Sequence, residues 1–465
     1  MLPKGLKGFK IMKIRYSFIL LFSLLSIVSL LTIEAKNRPS ELLTVKGSSE
    51  QQLTKVQWQQ DVDKLLVSVL NLHPNPWRSI TEKKFRSHLE QIVSQSPVNT
   101  RAQTMLKLIA AVSLITQSGG DGHSGIWPFQ EATQFNLLPL RLYAFSDGIY
   151  ITEATENNKT LIGQKLKAIA GVPLDEILDK VRPFVSNESA NWIKSWTPQY
   201  LVIAELLEYL DIAKGFSVDI LTENTGSQLK TTKLQAISVD SYNENFNNAV
   251  NHTILPTNES APLYLQKVLS EKYWYQNLNN KSLYFQYNLV QDDNNGQSFV
   301  DFIAELEIEL KKLQADSLIV DVRHNRGGEY NYDESQLIYA PFFDMINNFK
   351  VEQRNISLYV LTGRTTFSAA TNFTLEVDKQ TQSTFVGEAM GGSSNYYGEP
   401  ERITLPNSKL RVMIASRYWN MSGLSTSALP TIPDYLVELK ASEYFSKSDP
   451  ALTKVLELIE LRSFN

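Results

Sequence analysis

The sequence predicts an α/β core in which a sheet is covered on both faces. Residues 316–323 (DSLIVDVR) form a nearly continuous apolar run, which is typical of a strand buried on both sides. Before it, residues 298–314 place apolar side chains at helical spacing on one face, and residues 283–289 alternate as a strand. This strand–helix–strand order is that of a layered α/β domain. We expect the same sheet to be extended by residues 356–361, 383–386 and 410–414.

The composition is that of a globular protein with a large core. The chain has 465 residues, of which 43% are hydrophobic and 20% charged, and this length is enough for about three domains. A formal net charge of −4 and the lack of a basic stripe argue against nucleic-acid partners. The absence of cysteine excludes disulfides, thiolate metal sites and a cysteine nucleophile.

The N-terminus predicts export. Five basic residues precede an uncharged run at residues 16–33, so we interpret residues 1–36 as a signal peptide or an N-terminal anchor. Ile33 would occupy the −3 position of a cut after Ala35, where a small residue is preferred, so anchoring in the membrane stays open beside cleavage. The basic flank would keep that end in the cytoplasm. We therefore expect a periplasmic or extracellular protein, or one anchored to the outer face of the cytoplasmic membrane.

Residues 53–130 predict a helical N-terminal subdomain. Apolar residues recur at helical spacing in residues 56–72, and the pattern breaks at residues 73–77 (HPNPW) because proline disfavours a helix interior. Two further helical stretches follow. The region ends at residues 118–129 (SGGDGHSGIWPF), where glycines and serines around His123 predict a tight loop.

Residues 136–234 predict a mixed domain with a hairpin turn at residues 146–148. A strand within residues 161–169, a glycine-containing turn and a short helix resemble a PDZ-like module, which captures an extended peptide between a strand and a helix. A tryptophan-rich helical insertion interrupts the resemblance, and a generic αβ subdomain without a peptide groove is the alternative. We interpret the two remaining regions as a connection and as the α/β catalytic core; they are residues 235–280 and 281–465.

Ser368 occupies a break between a strand and a helix. Residues 361–372 (LTGRTTFSAATN) follow an apolar strand-like run and continue as a helix-competent segment. A serine at that break is either an ordinary helix N-cap or a nucleophile beside the free N–H groups of the helix start. The paired glycines Gly327 and Gly328, which follow the buried strand, are either a simple turn or a place where backbone amides approach a ligand.

Several motifs together resemble the carboxyl-terminal processing, or tail-specific, serine peptidases. The carriers of the resemblance are residues 316–328 (DSLIVDVRHNRGG), 360–370 (VLTGRTTFSAA), 386–388 (VGE) and 432–434 (IPD), in that order. The sequence DGH at residues 121–123, ahead of a PDZ-like segment, is similar to the tricorn-type branch of the family. The resemblance covers most of residues 56–460. It implies a crotonase-like or ClpP-like ββα superhelix with an inserted PDZ-like domain.

The resemblance also implies roles for individual residues. Ser368 would be the nucleophile that forms an acyl-enzyme, and the N–H groups of Ala369 and of Gly327 or Gly328 would form the oxyanion hole. Many family members use a lysine as the base, but Ser393 falls about where that lysine would be. A histidine donated by the N-terminal part, as in the tricorn-type enzymes, is therefore the better hypothesis.

His123 is the histidine that fits best, because it lies in a glycine-rich loop and coincides with the family motif. His324 is the second candidate, beside the RGG turn. The other histidines, His73, His88 and His252, are assigned structural or solvated positions. The tricorn-type serine that precedes the histidine is replaced here by Gly122. The third catalytic group stays open among Asp434, Glu399 and Glu401.

The expected function is an exported serine peptidase that acts on peptides or protein C-termini. Two alternatives stay open: a non-catalytic member that binds a peptide or an apolar ligand, and a hydrolase of non-peptide esters. No cofactor is expected, and scattered histidines without ligand spacing argue against a metal site. The expected partner is a peptide or protein substrate, and the oligomeric state is left open.

Overall fold

A computed structural model describes residues 52–246, 261–279, 281–293, 296–329, 337–423 and 432–463. The N-terminal segment interpreted as a signal peptide or anchor, residues 1–36, lies outside these residues, as does His252. Within the described part of the chain, the helices are too short or too polar to cross a membrane.

Helices and strands both contribute substantially, which confirms a mixed α/β protein. The helices of the described residues are α1 (Lys55–Leu72), α2 (Glu82–Gln95), α3 (Arg101–Leu114), α4 (Leu174–Val181), α5 (Ala190–Tyr200), α6 (Ala204–Tyr209), α7 (Val239–Asn245), α8 (Phe299–Lys312), α9 (Ala340–Val351), α10 (Ala369–Gln380), α11 (Ala441–Phe445) and α12 (Pro450–Ser463). The strands are β1 (Gly125–Ile126), β2 (Asn136–Leu137), β3 (Leu140–Phe145), β4 (Gly148–Ala154), β5 (Lys165–Ile169), β6 (Val172–Pro173), β7 (Ser217–Glu223), β8 (Leu229–Gln235), β9 (Ile237–Ser238), β10 (Tyr273–Asn277), β11 (Ser282–Tyr287), β12 (Ser317–Asp321), β13 (Ser357–Thr362), β14 (Thr384–Gly387), β15 (Asn395–Thr404), β16 (Arg411–Asn420) and β17 (Tyr435–Leu436).

The core sheet has the order β10-β11-β12-β13-β14-β17. Neighbouring strands from β11 to β17 pair in parallel, and β10 is an antiparallel edge. Asp321 at the end of β12 pairs with Leu361 near the end of β13. Because parallel strands end at the same edge, the segments that follow β12 and β13 meet there. Those segments carry the RGG turn and Ser368.

The two faces of the core sheet bury different sets of side chains. Leu318 and Val320 pack on one face with residues of α8, α9 and α10, whereas Ile319 packs on the other face with residues of α12. This alternation follows from the two-residue period of a strand. It explains why β12 reads as a continuous apolar run, since both faces are covered.

Three smaller sheets complete the described fold. One is an antiparallel sheet of the order β3-β4-β5-β7-β8, with β6 paired to β5, against which α5 packs at β3. Another has the order β1-β16-β15, and β2 pairs with β9. The helices α1 and α3 begin with capping boxes, in which Thr54 pairs with Gln57 and Thr100 with Gln103.

Two details differ from the sequence-based expectations. The strand predicted at residues 410–414 was expected in the core sheet, and this was wrong: β16 pairs with β15 and β1, and β17 takes the edge beside β14. The segment interpreted as a connection, residues 235–280, also contains β10, which is the edge strand of the core sheet. The pairing of β16 with β15 and β1, and that of β10 with the core sheet, cannot be inferred from local sequence patterns.

Candidate active site

Ser368 lies at the point where the loop after β13 turns into α10, whose first residue is Ala369. Its backbone has φ 54° and ψ −128°, and such a conformation costs a non-glycine residue on the order of 1–3 kcal/mol. The side chain makes no capping hydrogen bond to α10. The hydroxyl of Ser368 therefore does not cap α10 and is available to another partner.

That partner is His123. Its Nε2 lies 3.0 Å from Ser368 Oγ, although the two residues are 245 positions apart. The imidazole is 6% exposed and stacks on Phe367, with 4.3 Å between ring centroids, and on Tyr396 at 5.6 Å. The two rings fix the plane of the imidazole, so the contact with Ser368 does not depend on a free rotamer.

Burial sets the protonation of His123. It lowers the pKa of the imidazole to about 4, and the charge of Asp121 and the main chain of Tyr397 oppose this effect only in part. His123 is thus neutral near pH 7. The neutral form is the one that accepts a proton from a hydroxyl.

Asp121 fixes the loop that carries His123. Its Oδ2 lies 3.0 Å from His73 Nε2, and its Oδ1 accepts a hydrogen bond from Ser124 N at 2.9 Å. Because His73 Nδ1 accepts a hydrogen bond from Asn75 N, the proton of His73 is on Nε2 and is donated to Asp121. A buried histidine–carboxylate pair therefore lies directly behind the loop.

Glu188 joins this loop to the one that follows β14. Its Oε2 accepts from Gly122 N at 2.8 Å, and its Oε1 accepts from Ser393 N at 3.0 Å. The residue is 1% exposed. Burial raises the pKa of Glu188 to about 8, against the opposing effect of the two N–H donors.

Gly122 stands where the sequence resemblance leads us to expect a serine before the histidine. A Cβ at Gly122 would lie 3.0 Å from Glu188 Cβ, 3.0 Å from Trp192 Cε2 and 3.1 Å from Phe367 Cε2. The space that a serine side chain would need is thus filled by Glu188 and two aromatic rings.

The RGG turn packs directly against the serine. A Cβ on Gly327 would lie 2.7 Å from Ser368 Cβ, so only glycine fits there. Gly327 N already donates to Asn325 Oδ1 at 3.0 Å. Within the described residues, no hydrogen bond engages the N–H groups of Gly328 and Ala369. Of the predicted oxyanion donors, these two remain available.

Comparison with known families agrees with this geometry. Residues 283–437 match the family model described as peptidase family S41. This match confirms, over residues 283–437, the resemblance to the carboxyl-terminal processing peptidases seen in the sequence, and it supports a serine-type peptidase. A comparison with curated protein sequences gave no match.

The chain also resembles solved structures in its fold. Mature CPAF matches at a TM-score of 0.57 and 11% identity, over 84% of this chain and 94% of that one. Mature CPAF complexed with lactacystin matches at a TM-score of 0.58 and 11% identity, over 87% of this chain and 97% of that one. The photosystem II D1 C-terminal processing protease is 13% identical over 82% of this chain and 92% of that one, at a TM-score of 0.37.

The acidic residues predicted as a third catalytic group have other partners or are exposed. Glu399 pairs with Arg417 on the surface, and Asp434 Oδ2 accepts from Phe385 N. Glu401 is exposed on β15. Within the described residues, no carboxylate bonds to Nδ1 of His123.

The remaining sequence candidates, His324 and Ser393, make other contacts. His324 stacks on Tyr264 and lines a small cavity of about 60 Å³ that does not include Ser368. Ser393, at the expected lysine position, donates its hydroxyl to Glu188 O at 3.1 Å. In the described part of the chain, no cluster of three or more acidic or histidine side chains could hold a metal ion.

Sequence reasoning missed the residues behind the dyad. His73 was assigned a solvated position, but its side chain is fully buried against Asp121, 48 positions away. Glu188 was not singled out at all. The one available signal was the aspartate of the DGH motif, because a carboxylate two residues before a candidate base can act on it electrostatically.

Proposed function

We propose that the chain is an exported serine peptidase that cleaves peptides or protein C-termini through an acyl-enzyme on Ser368. The observation that carries the proposal is the 3.0 Å separation between His123 Nε2 and Ser368 Oγ. A base and a nucleophile within hydrogen-bond reach form the minimal unit of serine acyl transfer. The family match to S41 peptidases supports the same reaction class.

In the proposed reaction, Ser368 Oγ attacks the substrate carbonyl carbon while His123 Nε2 takes the hydroxyl proton. The tetrahedral oxyanion would accept hydrogen bonds from Gly328 N and Ala369 N. The C–N bond then breaks, and the imidazolium gives its proton to the leaving amine. Water next attacks the ester with His123 as the base, which releases the carboxylic acid and regenerates the Ser368 hydroxyl.

We further propose that the core is the ββα superhelix of the crotonase or ClpP type, in the tricorn-like branch of the family. The helices α1–α3 would be its helical N-terminal subdomain. The antiparallel sheet formed by β3–β5, β7 and β8, together with α4, would be the inserted PDZ-like domain, with α5 and α6 as its helical insertion. The order of elements supports this assignment, because strand β5, the glycine turn and α4 follow one another as in such modules.

Export rests on the sequence of residues 1–36 alone. Expression of the full chain with a C-terminal tag, followed by fractionation into cytoplasm, membrane and exported fluid, tests it. The proposal expects the tag outside the cytoplasm and requires residues 1–36 for that location. A full chain that stays in the cytoplasm would reject export without affecting the peptidase assignment.

A fluorophosphonate probe tests the chemistry, because it phosphonylates an activated serine. We expect labelling of the wild type, loss of labelling in Ser368→Ala, and strong slowing in His123→Ala. Ser394→Ala is the matched control, because its hydroxyl is buried and has no hydrogen-bond partner in the described residues. Labelling that persists in Ser368→Ala would reject the assigned nucleophile.

The second candidate function is a non-catalytic member that binds a peptide or an apolar ligand in the same cleft. The observation in its favour is that no described carboxylate bonds to His123 Nδ1, so the dyad lacks the usual orienting acid. A folded wild type that is not labelled by the probe would support this candidate. Labelling with turnover of ester substrates alone would instead favour a hydrolase of non-peptide esters.

A further inference from the structure

The serine–histidine pair opens into a cleft of about 530 Å³. Ser368, His123 and Gly328 all contribute to its lining. The cleft is therefore the space in which a substrate would meet the nucleophile.

Aromatic rings form a continuous wall that begins at the imidazole. Phe367 stacks on His123 and also on Trp192, with 4.2 Å between centroids. The ring centroids of Trp192 and Trp196 are 5.2 Å apart. Trp196 packs edge-to-face on Trp127, with 4.4 Å between centroids. All four rings line the cleft.

The three tryptophans of this wall are only half-buried. Trp192 and Trp196 lie four positions apart on α5, so both project from one face of that helix. Large aromatic side chains that keep exposed surface together, next to a reactive group, mark a place where another apolar surface is buried. Phe184, Ile126 and Met413 add further apolar surface to the same cleft.

The charged residues of the cleft limit which substrates fit. Among the described residues, Arg326, Arg364 and Arg402 line it, together with one glutamate, Glu329. Arg364 is paired with Glu388. A lysine or arginine side chain would meet this excess of positive charge, and no described residue of the aromatic wall offers it a carboxylate.

We propose that the wall of Phe367, Trp192, Trp196 and Trp127 is the specificity subsite, which binds an aromatic or large aliphatic side chain of the peptide next to the scissile bond. The inference rests on the proposed function, since it names the substrate class of that site. Ring stacking and edge-to-face contact, added to burial, provide the selectivity. Small side chains such as alanine would leave the wall uncovered.

The test uses a series of hexapeptides with free C-termini that differ at one central position, which is Phe, Leu, Ala, Lys or Asp. Cleavage by the full chain is followed by mass spectrometry. We expect kcat/KM for the Phe and Leu peptides to exceed that for the Ala, Lys and Asp peptides by at least tenfold. Trp196→Ala should reduce kcat/KM for the Phe peptide by roughly tenfold and leave the Ala peptide within about twofold.

Trp77→Ala is the matched control, because Trp77 is another half-buried tryptophan that packs on Phe85 and does not line the cleft. It should keep the wild-type preference. An equal response of Phe and Ala peptides to Trp196→Ala, or a wild type that cleaves all five peptides equally, would overturn the subsite.

A binding measurement separates failure of the subsite from failure of the chemistry. Ser368→Ala is titrated with the same peptides, and tryptophan fluorescence reports occupancy of the wall. Tighter binding of the Phe peptide than of the Ala peptide, lost on adding Trp196→Ala, supports the subsite even if no peptide is hydrolysed. Equal binding of the two peptides overturns it, whatever the fluorophosphonate result.

Discussion

His73 Nε2 lies 3.0 Å from Asp121 Oδ2, and neither side chain has any exposed surface. Asp121 is two residues from the proposed base, and its charge raises the pKa of His123 against the effect of burial. Asp121 thus acts on His123 through space and through the loop, whereas in most serine peptidases the acid bonds directly to the base.

Asp121→Asn should destabilise the protein and shift its activity on the pH scale. Both oxygens of Asp121 accept hydrogen bonds, so the asparagine NH₂ would face either the Nε2–H of His73 or the N–H of Ser124. Two buried donors would then meet, at a cost of about 1–3 kcal/mol in the free energy of unfolding. Loss of the charge should also lower the pKa of His123 further. The acid limb of kcat/KM, measured in short pH-jump assays, should then move to lower pH. An acid limb that stays in place would show that Asp121 is only structural.

The wild type should keep its activity at unusually low pH. The pKa of His123 is about 4, so the neutral base persists well below the usual histidine range near 6.5. We expect kcat/KM to stay level down to about pH 5 and to fall around pH 4. Labelling by the fluorophosphonate probe should follow the same profile. An acid limb of kcat/KM with its midpoint at about pH 6.5 would contradict the burial of His123 away from water.

Glu188 should make the protein less stable as the pH rises from about 4.5 to 8. Its folded pKa of about 8 is above the usual 4.5, so between these values the folded state holds a proton that the unfolded state has lost. The contribution to the free energy of unfolding is full below pH 4.5 and decreases as the pH rises to 8. Glu188→Gln should lack this slope in urea unfolding at pH 5, 7 and 9. Glu176→Gln, at an exposed position of α4, is the control, and identical slopes in Glu188→Gln and wild type would contradict the prediction.

Gly327→Ala should abolish activity. The new methyl group would lie 2.7 Å from Ser368 Cβ and 2.8 Å from Ala369 N, and the φ of +96° already disfavours any side chain. We expect fluorophosphonate labelling to fall by more than 100-fold, while circular dichroism tests whether the fold persists. Gly226→Ala is the control, since its nearest contact is 3.4 Å away in a surface turn. Full labelling of Gly327→Ala would contradict the packing of the RGG turn on the serine.

The buried pair of Arg364 and Glu388 should be strongly coupled. Arg364 Nε donates to Glu388 Oε2 at 2.7 Å, and the side chains are 2% and 11% exposed. Removing either partner leaves a buried charge, so Arg364→Met or Glu388→Leu should each lower the free energy of unfolding by about 3–5 kcal/mol. The double variant should lose much less than the sum.

An exposed pair provides the comparison for that cycle. Arg417 and Glu399 are 54% and 48% exposed, so the same substitutions there should change stability by less than about 1 kcal/mol. Additive effects at Arg364 and Glu388 in urea denaturation would argue against a specific ion pair.

The part of the site that local patterns could predict is the part built from neighbouring parallel strands. The apolar runs of β12 and β13 predicted two buried strands, and their ends place the RGG turn beside Ser368. The choice of His123 depended on the family resemblance, because the residues of its own loop do not indicate contact with a serine 245 positions away.

Other features had no readable signal. Burial of His73 depends on a contact across 48 positions, and the proline-rich break around it favoured a solvated assignment. Glu188 lies between helices in a polar stretch, where a carboxylate is ordinarily a surface group. The tryptophans of α5 were visible in the sequence, but which cleft they line is decided by the packing of α5 near the Ser368 loop.

The strained backbone of Ser368 lowers the stability of the fold at the position of the proposed nucleophile. With φ at 54° and ψ at −128°, the position suits a glycine better than a serine. A chain optimised only to stay folded would place glycine there and gain roughly 1 kcal/mol. Keeping a hydroxyl at this position means that the fold tolerates local strain at the one atom it holds against His123.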